Sequence, residues 1–225
     1  MRVLLFHLIF VLINCTAKKT NLNINGKIMN KTKETYYDAL FNSIDYDYFN
    51  LSLIYNKSFN SIKIKHKSKI HSSLKEICIL GVLCNDKGLE IENSMLNWLL
   101  PEYDVYCVYQ KYPGIFYEYP ALRFAQWFSQ IKKIEIILYV HTKGAFHYGD
   151  IQKLVIDLWK HEFTNRRKKI YINLLKNNFF DVSLPFRFGI CTWYNGMFIS
   201  NRAFNLSNKK GFLFLNYLYI YLIII

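Results

Sequence analysis

Between Ile77 and Trp159, strand-length apolar runs alternate with helical patterns, and this regularity constrains the fold more than any other property of the chain. Ile77 to Leu83 is an apolar run ending in Cys84-Asn85-Asp86-Lys87-Gly88, and Ile91 to Leu100 has helical spacing stopped by Pro101. Tyr103 to Tyr109 reads as a second strand. Pro120, at a first helical position, opens a helix with Leu122, Ala125, Phe128 and Ile131 on one side. Ile136 to Val140 is the third strand. Asp150 then caps a helix whose Ile151, Leu154, Val155, Leu158 and Trp159 recur at i, i+3, i+4, i+7 and i+8. Consecutive β-α units imply right-handed crossovers. The expected fold is therefore α/β, a mainly parallel sheet with helices on both faces.

Such a sheet binds ligands in the crevice beyond the carboxyl ends of its strands. The run Glu135 to Val140 leads there directly into His141-Thr142-Lys143-Gly144, a polar, cationic, glycine-terminated turn. His141 and Lys143 are candidates to face a substrate, and Thr142 to brace the turn. The bland alternatives are a histidine bonded to nearby backbone and a solvated lysine. A second turn, Thr192-Trp193-Tyr194-Asn195-Gly196, precedes the short apolar strand Met197 to Ser200. The Asn195 amide can read sugar hydroxyls and Gly196 lets backbone approach closely, although the same pattern serves an ordinary turn before an edge strand. Asp150 and Asp157 are candidates for a catalytic base or a lone metal contact, against the simpler roles of helix cap and solvated helix face.

At 225 residues the chain is one domain plus attachments, and 52% hydrophobic with 18% aromatic residues excludes a largely disordered polymer. Residues 1–17 read as a signal peptide cleaved after Ala17, or a signal anchor: a basic start, an apolar run from Val3 to Ile13, then Cys15-Thr16-Ala17. Entry to the secretory pathway, with residence in the endoplasmic reticulum or Golgi lumen or secretion, makes Asn30, Asn50, Asn56 and Asn205 glycan acceptors. Residues 18–75 carry eleven Lys against four acids and read as a stem. Within it, Lys63 to Lys69 alternates like an edge strand, but its charge density reads as a solvated linker, with nucleic-acid or anionic-membrane binding as the sharper option. Arg166-Arg167-Lys168-Lys169 is either an exposed helix face or a cationic rim attracting a nucleotide diphosphate. Without Cys15, the four cysteines Cys78, Cys84, Cys107 and Cys191 allow three disulfide connectivities, and burial as small hydrophobes is the simpler expectation for Cys78 and Cys107.

Val140-His141-Thr142-Lys143-Gly144, with Tyr112-Pro113-Gly114, Glu118-Tyr119-Pro120-Ala121-Leu122 and Trp193-Tyr194-Asn195-Gly196-Met197-Phe198, resembles glycosyltransferase-like proteins with an HTKG turn. It is more distantly similar to bacterial rhamnan-synthesis proteins. The likeness covers residues 76–204. It implies a GT-A type, Rossmann-like fold and transfer of a sugar from a nucleotide-diphospho-sugar to a glycan or protein acceptor. His141, Lys143 and Asp150 would be catalytic, and Asn85, Thr142, Gly144, Trp193, Asn195 and Gly196 would bind substrate. The departing diphosphate develops negative charge, offset either by Mn2+ or Mg2+ on carboxylates or by fixed cations such as Lys143. The chain departs from the metal-binding pattern, since its Asp-x-Asp, Asp45-Tyr46-Asp47, precedes the expected sheet. No metal ligand is assigned. The apolar end, residues 205–225, departs from what such a domain would continue with, and reads as a truncated or frame-shifted tail or a short membrane-associating one. An inactive or truncated sugar-nucleotide-binding relative, or a basic protein that binds nucleic acid or anionic surfaces, are the alternatives. The leading reading involves no nucleic acid and allows membrane association only through the N-terminal segment.

Overall fold

The computed structural model describes residues 38–45, 62–68, 76–111, 119–142, 150–178, 182–183 and 196–210. They form an α/β layer structure around a six-stranded mixed sheet. In chain order the elements are β1 (Ile62–Lys67), β2 (Glu76–Cys84), α1 (Asp86–Leu99), β3 (Tyr103–Lys111), α2 (Tyr119–Lys132), β4 (Ile136–His141), α3 (Asp150–Phe163), α4 (Asn165–Lys176), β5 (Val182–Ser183), β6 (Met197–Ser200) and α5 (Asn201–Lys210). The strands lie in the order β1-β3-β2-β4-β6-β5.

The three strands expected from the apolar runs are neighbours, with β2 parallel to β3 on one side and to β4 on the other. The sheet as a whole is not mainly parallel. Strand β1 joins β3 antiparallel, β6 joins β4 antiparallel, and β5 closes that side antiparallel to β6. The parallel core follows from the two crossovers through α1 and α2. The antiparallel edges come from strands outside any β-α repeat, to which the alternation argument does not apply.

Side chains of β2 alternate between two cores. Cys78, Leu80 and Val82 pack with α1, α3 and α4 on one face, and Ile79 with α2 and α5 on the other. Each such fully buried aliphatic or aromatic side chain contributes roughly 1.5–3 kcal/mol, so burial on both faces makes β2 the element around which the sheet is organised. Cys78, Cys84 and Cys107 are buried free thiols, and burial pushes Cys84 up to about 11. They behave as small hydrophobes; Cys191 lies outside the described residues.

Three helices begin or face differently from the sequence pattern. Helix α1 starts at Asp86 rather than near Ile91, because the Asn85 side chain accepts the Gly88 N–H at 2.6 Å and caps it. In α3 the buried stripe is Val155, Ile156, Trp159 and Phe163, with Leu154 at 66% and Leu158 at 37% exposure. The face is rotated relative to the expected stripe, with Trp159 and Phe163 anchoring it. In α2, Ala121, Leu122, Phe124, Ala125 and Phe128 are buried, while Ile131 in the last turn is 61% exposed.

Residues 62–67, expected within a solvated stem, are the edge strand β1. Each of its lysines has a protein partner. Lys63 donates to the Phe41 and Ile44 carbonyls, satisfying groups at the end of a helical turn over residues 38–42, Lys65 pairs with Asp45, and Lys67 with buried Glu92. Glu92 also accepts the Tyr109 hydroxyl at 2.6 Å. Among the described residues no helix is long and apolar enough to cross a membrane. The expected signal segment, Asn30, Asn50, Asn56 and the tail from 211 onward lie outside the described residues; Asn205 is exposed on α5.

Candidate functional site

The parallel ladder between β2 and β4 ends at the pair Gly81 and His141, and the next residue extends it by other means. Thr142 donates its N–H to the Gly81 carbonyl at 2.9 Å, and its Oγ1 accepts the Leu83 N–H at 3.1 Å. A side-chain oxygen thus replaces the backbone acceptor that β2 loses when β4 turns away. Thr142 is buried, and every atom named here is used in holding the turn. Immediately beyond, the Leu83 carbonyl accepts the Asn85 N–H at 2.9 Å, and Asn85 caps α1. The ends of β2 and β4 and the start of α1 are therefore one braced rim at the carboxyl edge.

His141 sits where the two cores meet at this rim. Its ring is edge-on to Tyr139, of the α2 face, at 6.0 Å and to Trp159, of the α3 face, at 5.6 Å. A Cβ on Gly81 would lie 3.3 Å from the Cβ atoms of both His141 and Ala121, so the small residue in mid-strand gives His141 its room. Gly196 also lies against Trp159. A Cβ there would stand 2.6 Å from Trp159 Cε2, 2.7 Å from Trp159 Nε1 and 2.9 Å from Phe163 Cε2, contacts that real side chains do not make. The glycine is required for close approach by an indole, the general purpose expected of it, although the approaching group is protein.

His141 and Gly196, one residue from each motif, therefore share Trp159 as a neighbour. Lys143 follows Thr142 directly, and Asn195 directly precedes Gly196, but Lys143, Gly144, Trp193 and Asn195 lie outside the described residues. Asp150 does not join the rim as a buried acid. It is the first residue of α3, 98% exposed at its side chain, and 3.8 Å from Lys153 one turn on. Asp157 is exposed on the same helix. Asn85 is at the rim, with its Oδ1 committed to the cap.

In the basic cluster, Arg166, Arg167 and Lys169 are exposed on α4, as expected of a helix face, and Lys168 reaches the opposite edge of the sheet. Lys168 is buried and donates to Glu76 at 2.8 Å and Glu102 at 2.6 Å, which stand at the amino ends of β2 and β3. Nine residues of β2 separate that edge from the rim, about 26 Å at a strand's rise. A rim of cations for a diphosphate at the carboxyl edge is thus excluded for Lys168. Burial opposes its charge, but the two carboxylates outweigh this and raise its pKa. Arg167 pairs with Glu162 at 2.6 Å; burial works against the Glu162 carboxylate, while hydrogen bonds from Tyr171 and His161 and the Arg167 charge bring its pKa below the usual range. Asp45 of the Asp-x-Asp pairs with Lys65 of the edge strand, and Asp47 lies outside the described residues.

Sequence reasoning missed Trp159 and Gly81 as shapers of the site. Trp159 was visible only as one member of an apolar stripe, and Gly81 only as a glycine in a strand. Among the described residues no three His, Cys, Asp or Glu side chains converge as metal ligands, so no chemical step is derived through Mn2+ or Mg2+. No protein-family model, curated protein or solved structure matches the chain.

Proposed function

We propose that the chain is a glycosyltransferase-like protein of GT-A type that binds a nucleotide-diphospho-sugar at the carboxyl edge of β2 and β4. The observation that carries this reading is that His141, at the end of β4, and Gly196, just before β6, both pack against Trp159 at the edge where parallel sheets bind ligands. A fixed rim suits a diphosphate, because prepaid positioning of donors and cations stabilises charge that develops on the leaving group. His141 and Lys143 are assigned to that charge, and Asn195 to sugar hydroxyls. Asp150 remains a proposed base only in the sense of position near the start of α3. Its exposure and its partner Lys153 support a solvated residue better. The N-terminal segment is assigned to secretory entry, with a glycan or glycoprotein as acceptor.

An inactive nucleotide-sugar-binding relative is the second reading, favoured because buried Glu92, whose partner Tyr109 lies opposite Val82 near the end of β2, is committed to Lys67 and the Tyr109 hydroxyl. A basic nucleic-acid binder is disfavoured, because Lys63, Lys65 and Lys67 are all engaged within the protein. A melting assay with UDP-sugars, GDP-sugars and duplex DNA, each with and without Mn2+, tests the reading. Stabilisation by a nucleotide sugar and not by DNA is expected; the reverse would overturn the proposal. Transfer or hydrolysis of the bound sugar then separates an enzyme from an inactive relative.

A further inference from the structure

We propose that Lys111 is an anion-binding residue of the carboxyl-edge rim and that Asp38, carried by the helical turn over residues 38–42, is an internal competitor for its ammonium. The ligand class, a diphosphate, rests on the sugar-nucleotide reading above; the contact between Asp38 and Lys111 does not. Lys111 is the last residue of β3 and the register partner of Cys84, the last residue of β2. It therefore ends level with the start of α1. His141 pairs with Gly81 on the far side of β2, three residues back from Cys84. Two strand spacings across and three residues along place the Cα atoms of Lys111 and His141 roughly 14 Å apart. An extended nucleotide-diphospho-sugar spans that separation.

Asp38 is brought to Lys111 by anchors of its own. Phe41 is buried in the core on the α1 face, Leu40 and Ile44 pack against it, and Lys63, opposite Tyr109 in the ladder, donates to the Phe41 and Ile44 carbonyls. These contacts fix residues 38–42 beside the carboxyl half of β3 and set the Asp38 carboxylate on the Lys111 ammonium. The Asp38 and Lys111 side chains are 36% and 35% exposed, so water screens the pair and it adds little to stability. Phe41 and Lys63 hold the turn without it. Lys63 divides its ammonium between two carbonyls and Lys168 between two carboxylates, whereas Lys111 has one partner among the described residues. An ammonium has three N–H donors, and a diphosphate offers it more charge and more acceptors than one carboxylate does. Exchange of Asp38 for a diphosphate is therefore favourable at little cost to the fold.

Calorimetric titration of the full chain with inorganic pyrophosphate at low ionic strength tests the competition. Asp38→Asn should tighten binding roughly two- to fivefold, the scale of one exposed ion pair, and Lys111→Gln should weaken it roughly tenfold or more. In the Lys111→Gln background, Asp38→Asn should change nothing further. Asp45→Asn alters the net charge equally and removes a different ion pair, that with Lys65, so it should bind like the parent. Equal tightening by Asp38→Asn and Asp45→Asn, parental affinity in Lys111→Gln, or no binding of pyrophosphate by parent and Asp38→Asn alike overturns the proposal. If Lys111→Gln does not fold, the comparison of Asp38→Asn with Asp45→Asn decides. Titration with UDP-glucose and GDP-mannose separates the two readings. Pyrophosphate binding that follows Lys111, with neither nucleotide sugar bound, supports the anion site and counts against the sugar-nucleotide reading. A nucleotide sugar bound equally by all variants overturns the proposal and leaves that reading standing.

Discussion

Replacing Gly88 by alanine sets two opposing effects against each other at the rim. In an open helix the change would stabilise the chain by about 1 kcal/mol, because alanine loses less backbone entropy on folding. Here the new Cβ would lie 1.9 Å from the Leu83 carbonyl oxygen and 3.0 Å from Asn85 Oδ1. The first contact is backbone, so no rotamer change relieves it. The helix start or the strand end must move by about 1 Å or more, which overpacks the junction at roughly 1–3 kcal/mol. The same movement stretches the 2.6 Å Gly88 N–H to Asn85 bond, and loss of an N-cap adds roughly 0.5–2 kcal/mol. After the helix-propensity gain is subtracted, Gly88→Ala should destabilise by about 0.5–4 kcal/mol. Urea unfolding of both chains at pH 7, with equal slopes, reads this directly. A variant as stable as the parent, or more stable, would refute the account of a β2–α1 turn held by close approach.

Thr142→Val keeps the shape of the side chain but removes the acceptor of the buried Leu83 N–H, and should cost about 1–3 kcal/mol in the same assay, whereas Thr142→Ser should cost less. Lys168→Met leaves Glu76 and Glu102 without their shared cation; their side-chain exposures of 42% and 28% reduce the roughly 3–5 kcal/mol of a fully buried pair to about 2 kcal/mol. Because the folded pKa of Lys168 is raised, that advantage of the parent is complete below the unfolded lysine value of 10.5 and disappears as pH rises through the folded one, which parallel melts at pH 8 and in strong alkali would show. On the proposed function, Lys143→Ala should weaken nucleotide-sugar binding by about 1.5–3 kcal/mol while chelators matter little; unchanged affinity, or loss of binding with EDTA alone, would reject the fixed-cation scheme.

Periodicity made the parallel core legible. The runs at 77–83, 103–109 and 136–140 are buried on both faces, which produces continuous apolar sequence of strand length and leaves helices between. The same logic hid β1, whose residues alternate Ile and Lys. A lysine whose ammonium reaches a carbonyl or a carboxylate inside the protein is indistinguishable in sequence from one in water, so the strand read as linker. For the site, the strand-to-turn transitions marked His141, Thr142 and Gly196 correctly as neighbours of an edge. Their junction through Trp159 depends on α3 facing the sheet with one side of its surface rather than the adjacent one, and a helix carrying Leu154, Val155, Leu158 and Trp159 together does not specify that rotation. In the 166–169 cluster the exposed helix face holds for Arg166, Arg167 and Lys169, while Lys168 departs from it, because charge density carries no information about which lysine a helix turns inward.

Hydrogen–deuterium exchange of the full chain, with and without the UDP- or GDP-sugar that raises its melting temperature, measures the location of the ligand itself. The account predicts added protection at 81–88, 139–142 and 196–200, the rim at the carboxyl edge, and none at Glu76, Glu102 or Lys168. Protection centred on that amino edge, or on α4 with its basic cluster, would contradict it.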